Sequence, residues 1–202
     1  VTIEMNGAGS STEPTAVVLN AAQPAAATQV PIADGRVLPT EPQYIEGEVE
    51  DTNSSKFASE KRVVSGDSYL SNFFERPFTR GTMDYLPQVD IQYGYISTDE
   101  NFFIYTIVLA GVDPATNGLV GSYGVEMDID ADGRGEYAIW AKDPVSTTWT
   151  SENVRIFRDS NGDVGGKDKY ISDAPSYGDG YDQELPNTNA EAAFARVVPD
   201  YP

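Results

Sequence analysis

Two neighbouring stretches limit the fold more than any other feature of this sequence. "VDIQYGYIS" puts Val89, Ile91, Tyr93 and Tyr95 at alternate positions, the two-residue period of a half-buried strand. "NFFIYTIVLAG" follows at residues 101–111 and is apolar at consecutive positions. A strand of that composition needs cover on both faces, so it belongs inside a sheet rather than at its margin. "SYGVEMDID", "GEYAIWAK", "TTWTSENVRIFRD" and "AAFARVV" add further strands, separated by Gly, Asp, Asn and Pro turns. No long helical pattern interrupts them, although "DTNSSKFASEKRVV" has room for one short helix. The expected fold is all-β, an antiparallel β-sandwich of jelly-roll-like form over residues 48–202.

Residues 1–47 have a different texture. They are rich in Ala, Pro, Thr and Ser, with Tyr44 the only aromatic. Such a composition suits a linker. Two short apolar patches, "VTIEM" and "AVVL", argue instead for an extended N-terminal arm that packs on something. In "VTIEM" the alternation sets Val1, Ile3 and Met5 on one side, as in a strand added to a sheet. An arm carrying its own strand can pair with an open sheet margin, either in its own domain or in a neighbouring copy. The length of the spacer favours the neighbour, because extended chain covers roughly 3.3 Å per residue.

Charge narrows the partners. The sequence has 13 basic and 32 acidic residues, a net charge of −19. Such a surface repels nucleic acid and anionic lipid and attracts divalent cations. There is no cysteine and no histidine. That removes the usual zinc sites, Cys or Ser/His nucleophile pairs and near-neutral proton shuttles. The longest apolar run falls well short of the roughly 20 residues of a membrane span. A start at Val1, with no basic and apolar leader, reads as a processed secreted product.

"MDIDADGRGEY" is the most chemically pointed stretch. Asp128, Asp130 and Asp132 occupy positions one, three and five of a calcium-type loop, where alternate carboxylates converge on one ion. The Arg134 carbonyl falls at position seven and Glu136 at nine. Ile139 stands where the bidentate glutamate of an EF-hand belongs, and no helices flank the loop, so it is not an EF-hand. The competing explanation is a tight hairpin turn at Asp132-Gly133, which requires no ion. Three carboxylates crowded on one turn repel each other, and calcium relieves that repulsion. Asp159, Asn161 and Asp163 repeat the spacing, but Asn161-Gly162 is an ordinary turn pair and Val164 replaces the expected glycine; a turn is the better reading there. Asp173, Asp179 and Asp182 read as a solvated loop.

"YLSNFFERPFT", "YGVEMDIDADGRGEYAIW", "TTWTSENVRIFRDSNGDVGG" and "DGYDQEL" together resemble modules of large secreted bacterial surface proteins of Chloroflexota type, which are similar to family-9-like carbohydrate-binding and DOMON-like β-sandwiches. The resemblance spans residues 65–198 and implies an extracellular sandwich with acidic loops, closed by one more apolar strand after "AAFARVV", soon after which this chain stops.

Three functions follow as expectations. The first is a non-enzymatic structural subunit of an extracellular filament or layer, a homopolymer stabilised by calcium and joined by strand exchange. The alternative is a module that binds polysaccharide through loop aromatics, with Trp149, Tyr177 and Tyr181 as contacts and Trp140 assigned to the core. A hydrolase working through paired carboxylates is the weakest, because the acidic residues cluster in turn-like loops.

Overall fold

The computed structural model describes residues 2–5, 15–22, 38–40, 44–62, 75–99, 101–132, 134–164, 180–187 and 193–199. The fold is all-β, with two sheets. Strands β1 (Thr2–Met5), β2 (Thr15–Ala22), β3 (Tyr44–Glu50), β4 (Ile91–Thr98), β5 (Phe102–Leu109) and β10 (Phe194–Val198) form the larger one. Its order is β10-β2-β1-β5-β4-β3. Strands β6 (Ser122–Met127), β7 (Tyr137–Lys142), β8 (Val154–Arg158) and β9 (Gln183–Leu185) form the second sheet in sequence order. These successive hairpins stay within one sheet, where a jelly-roll would cross between sheets. Short 3-10 helices occupy Ser54–Glu60, inside the stretch expected to hold a helix, and Pro87–Val89. Among the described residues no helix is long and apolar enough to cross a membrane.

β5 sits inside the larger sheet, as its two-faced apolar pattern demands. Ile107 and Leu109 join one hydrophobic cluster with Ile91, Ala195 and Val197 of the same sheet and Val125, Ile139, Ala141, Val154 and Ile156 of the other. Residues of both sheets thus share one core, a β-sandwich-like arrangement. On the other face of β5, Phe102 and Ile104 pack with Phe194, Leu38, Trp149 and Val198. The Phe102 and Phe194 rings meet edge to face at 6.1 Å.

Within the stretch expected to be an arm, β1, β2 and the start of β3 belong to this sheet. β1 and β2 pair antiparallel, Met5 opposite Thr15 and Thr2 opposite Val18. β1 also runs parallel to β5, with Ile3 opposite Ile107 and Met5 opposite Leu109. This is the one parallel pairing in a fold otherwise antiparallel among its described strands. Farther along, β2 meets β5 directly at Ala21–Phe103 and Ala22–Phe102. β1 therefore fills a wedge where β2 and β5 diverge. The expected boundary at residues 47/48 falls inside β3, because Tyr44–Glu50 is one continuous strand on β4.

The margins of the larger sheet are managed differently. Along β10, Ala195 exchanges backbone hydrogen bonds with Thr150 (2.8 and 3.0 Å) and Val197 donates to Ser146 (2.6 Å). The segment around residues 146–150 thus covers the margin where a closing strand was expected. β3 forms the opposite margin with exposed Glu46, Glu48 and Glu50 and a register shift between Ile45 and Gly47. Charges and a bulge are ordinary defences of a sheet margin against stray pairing.

Near the start of β4, the fully buried Asp90 accepts hydrogen bonds from Ser54 N (3.2 Å) and from the Tyr85 hydroxyl. That carboxylate fastens the first 3-10 helix and the loop before β4 to the sheet.

Candidate metal centre

β6 and β7 pair in register from Ser122–Lys142 to Met127–Tyr137, and Glu136 N donates to Met127 O at 2.9 Å. Residues 128–136 lie beyond the last pair, so the connection is a broad loop rather than a two-residue turn at Asp132-Gly133. Gly133 lies outside the described residues. Among the described residues of the loop, Ala131 takes a left-handed backbone, at φ 60°.

Within the loop the acidic side chains turn back over their own backbone. Asp128 Oδ1 and Asp130 Oδ1 each accept from Asp132 N at 3.2 Å. Asp132 Oδ1 accepts from Arg134 N at 2.8 Å, and Glu136 Oε2 from Ile129 N at 2.6 Å. This folding gathers one carboxylate oxygen from each of Asp128, Asp130, Asp132 and Glu136 to within 4.8 Å of one another. Calcium binds oxygen at about 2.4 Å, so ligands on opposite sides of one ion stand about 4.8 Å apart. The four oxygens are close enough together to share one cation. The three aspartates are exposed and Glu136 is half-buried. Ile139, at the position of the missing bidentate ligand, is 1 % exposed in the core. Any ion here would complete its shell with water or backbone carbonyls.

Arg134 entered the expected ligand set through its carbonyl. Its side chain reaches away, Nη1 donating to Gly162 O at 2.7 Å. Asp159 N also donates to Glu136 O at 3.0 Å, so the two acidic loops are fastened side by side.

The second loop is organised by its own amides. Asp159, only 7 % exposed, accepts from Asn161 N (3.0 Å) and Gly162 N (2.8 Å) on Oδ1 and from Val164 N (2.9 Å) on Oδ2. Asn161 Oδ1 accepts from Asp163 N at 3.2 Å, and Asp163 Oδ1 from Gly180 N at 3.0 Å. Oxygens committed to backbone donors in this way make an Asx-type turn, the simpler of the two readings. Asp182 accepts from Ser160 N and Oγ (2.7 and 2.5 Å), and these bonds lower its pKa. Asp173 and Asp179 lie outside the described residues.

The aromatic candidates separate. The Trp149 ring is half-buried against Phe102, Ile104 and Phe194 and carries the Arg196 guanidinium 4.7 Å from its centroid. The ring thus takes part in that cluster while keeping some exposure. Tyr181 is half-buried, and Tyr177 lies outside the described residues. Trp140 corrects the assignment to the core. It alternates with the core residues Ile139 and Ala141 and therefore faces the other side of the smaller sheet. There it lies across Gly124, its cross-strand partner, where an added Cβ would come within 2.5 Å of the indole. Arg155 and Phe157 share that face, the guanidinium 4.8 Å from the Phe157 centroid and clamped by Glu184 at 2.7 and 2.5 Å. The alternation around Trp140 was visible in the sequence. What hid it was that either face of a two-faced strand can be the inner one.

Of the expected assembly strand, Ile3 and Met5 hold the register positions opposite Ile107 and Leu109, and Val1 lies outside the described residues. Comparison with family models, with curated proteins and with solved structures gives no match to this chain.

Proposed function

We propose that this chain is a non-enzymatic structural subunit of an extracellular filament or layer, built from copies of itself by strand exchange and stabilised by calcium. The observation that carries the reading is the place of β1. A short strand from the start of the sequence fills an interior wedge between β2 and β5, beside the core residues Ile107 and Leu109. The same wedge accepts the same strand from a neighbour with no change in register. Simple addition at the margins of the larger sheet is opposed by the cover over β10 and by the acidic, bulged β3. A polymer therefore grows through the interior position.

The acidic loop supplies the second component. Calcium held by Asp128, Asp130, Asp132 and Glu136 converts mutual repulsion into cross-linking of an exposed loop. The sequence has no histidine and no cysteine for a nucleophile–base pair, and the acidic residues sit in turn-like loops, so the reading carries no hydrolytic role. Negative-stain microscopy and sedimentation of the concentrated chain in millimolar calcium test the reading. Regular polymers are expected; particles that stay monomeric at every concentration overturn it.

One observation favours the polysaccharide-binding alternative. Trp140, close over Gly124 beside the Arg155–Glu184 pair, is a half-buried ring of the kind sugars stack on. Retention on immobilised polysaccharide, lost on Trp140→Ala and kept on Trp149→Ala, would shift the assignment.

A further inference from the structure

We propose that Asn117 is a site of spontaneous covalent modification. The backbone nitrogen of Gly118 attacks its side-chain amide, ammonia leaves, and water converts the product to isoaspartate or aspartate. The inference is independent of assembly and of calcium.

The sequence contains three Asn-Gly pairs, at residues 6–7, 117–118 and 161–162. Glycine after asparagine favours this chemistry, because no side chain hinders its nitrogen and its backbone turns freely. Residue types alone therefore rank the three pairs equally. Residues 6–7 lie outside the described residues, and the structure separates the other two.

Asn161 is locked. Gly162 N, the nucleophile that pair would need, donates to Asp159 Oδ1 at 2.8 Å. Asn161 N donates to the same oxygen at 3.0 Å, and Asn161 Oδ1 accepts from Asp163 N at 3.2 Å. Asp159 is 7 % exposed, so its bonds face little competition from water. Ring closure would have to break bonds at both the attacking nitrogen and the amide under attack.

Asn117 is open. It lies exposed on a turn in which Asp113 N donates to Gly118 O at 3.0 Å and Asn117 N to Asp113 O at 2.8 Å. The Asp113 carboxylate accepts from Ala115 N at 3.1 Å and Thr116 Oγ1 at 2.8 Å, which fixes the first half of the turn. Among the described residues, neither Gly118 N nor the Asn117 side chain has a hydrogen-bond partner. Asn117 has a left-handed backbone at φ 53°, which asparagine tolerates well. Its backbone thus explains asparagine in this turn, while its amide remains untethered beside an uncommitted nitrogen.

The reaction is intramolecular and balances with water alone. Gly118 N bonds to Asn117 Cγ and closes a five-membered succinimide. The Cγ–Nδ2 bond breaks, and the Gly118 proton ends on the departing ammonia. Water then opens the ring at Cγ to give aspartate, or at the backbone carbonyl to give isoaspartate. Either product adds a carboxylate near Asp113. Isoaspartate also lengthens the main chain by one carbon just before Leu119, a core residue 4 % exposed.

Peptide mapping of the full chain, incubated folded for several days at mildly alkaline pH, tests this. Trypsin places the three pairs in separate peptides, residues 1–36, 81–134 and 159–167, and tandem spectra locate the change within each. Asn117 is expected to become one mass unit heavier, as a mixture of aspartyl and isoaspartyl forms, while Asn161 stays unchanged. In denaturant both should react at similar rates, because the protection of Asn161 is tertiary. Gly118→Ala should slow the reaction at Asn117 several-fold. The fold should accept that variant, since the added methyl meets only Thr116 Oγ1, at 3.7 Å. Equal rates at Asn117 and Asn161 in the folded chain overturn the inference. So does an Asn117 that reacts only in denaturant, or one whose rate ignores Gly118→Ala.

Discussion

The Arg134 guanidinium donates to the Gly162 carbonyl at 2.7 Å, holding the acidic β6–β7 loop against the loop that follows β8. Two loops with the same one-three-five spacing are thereby placed together, yet they are organised in opposite ways. Side chains of both accept loop amides, but the first brings four acidic side chains together at the surface, and the second turns the buried Asp159 inward onto three amides. Stability should respond to calcium through the first loop only.

At a calcium concentration 100-fold above its dissociation constant, binding to the native state adds about 2.7 kcal/mol. For a domain of this size that raises the melting temperature by about 5–10 °C. Chelator should remove the increment, and Asp130→Ala with Asp132→Ala should abolish the response. An unmoved melting curve in chelator would reduce the loop to a turn.

Asp159→Ala should destabilise by about 3 kcal/mol, since it strands the amides of Asn161, Gly162 and Val164. Asp159→Asn should lose less, because one acceptor oxygen remains. Neither change should alter the calcium-dependent shift measured in parallel. A shift that vanished with Asp159→Asn would make this side chain a ligand after all.

Gly124→Ala should cost about 1–3 kcal/mol by driving a methyl into the Trp140 ring. The same change in a Trp140→Ala background should cost less but not nothing, because the added Cβ still meets the Ile139 carbonyl at 2.8 Å, and denaturant midpoints of the four proteins measure the coupling. Equal costs in both backgrounds would mean that the ring does not rest on the glycine.

Alkaline pH should destabilise the fold through its buried and half-buried phenols. Burial raises the pKa of Tyr85, Tyr105 and Tyr123 above the ordinary 10.0, with the Asp90 carboxylate adding to the effect at Tyr85. The folded state then holds protons that the unfolded chain releases. Their contribution is complete below pH 10 and is lost as pH rises beyond it. Tyrosinate absorbance should show these phenols ionising only as the chain unfolds, later than those of a denatured control. Coincident titration of the folded and denatured chains would contradict the burial.

The all-β class was legible in local pattern. Residues 101–111 announce a strand covered on both faces, and β5 is interior with a cluster on each side. The gathering of Asp128, Asp130, Asp132 and Glu136 was legible for a similar reason, because ligand spacing within one loop is a local property. Tertiary structure alone decided three matters. It set Trp140 on the face away from the shared core, a choice made by which side the other sheet contributes. It turned Asp159 inward to cap its own loop, which required amides presented by the chain's return. It also made two strands of the larger sheet from residues that read as an arm. Thr2–Met5 and Thr15–Ala22 are too short and too simple in composition to declare a partner. Their partners, β5 and β10, lie on the order of 100 residues or more along the chain, and pairing over that separation is recorded in no local period.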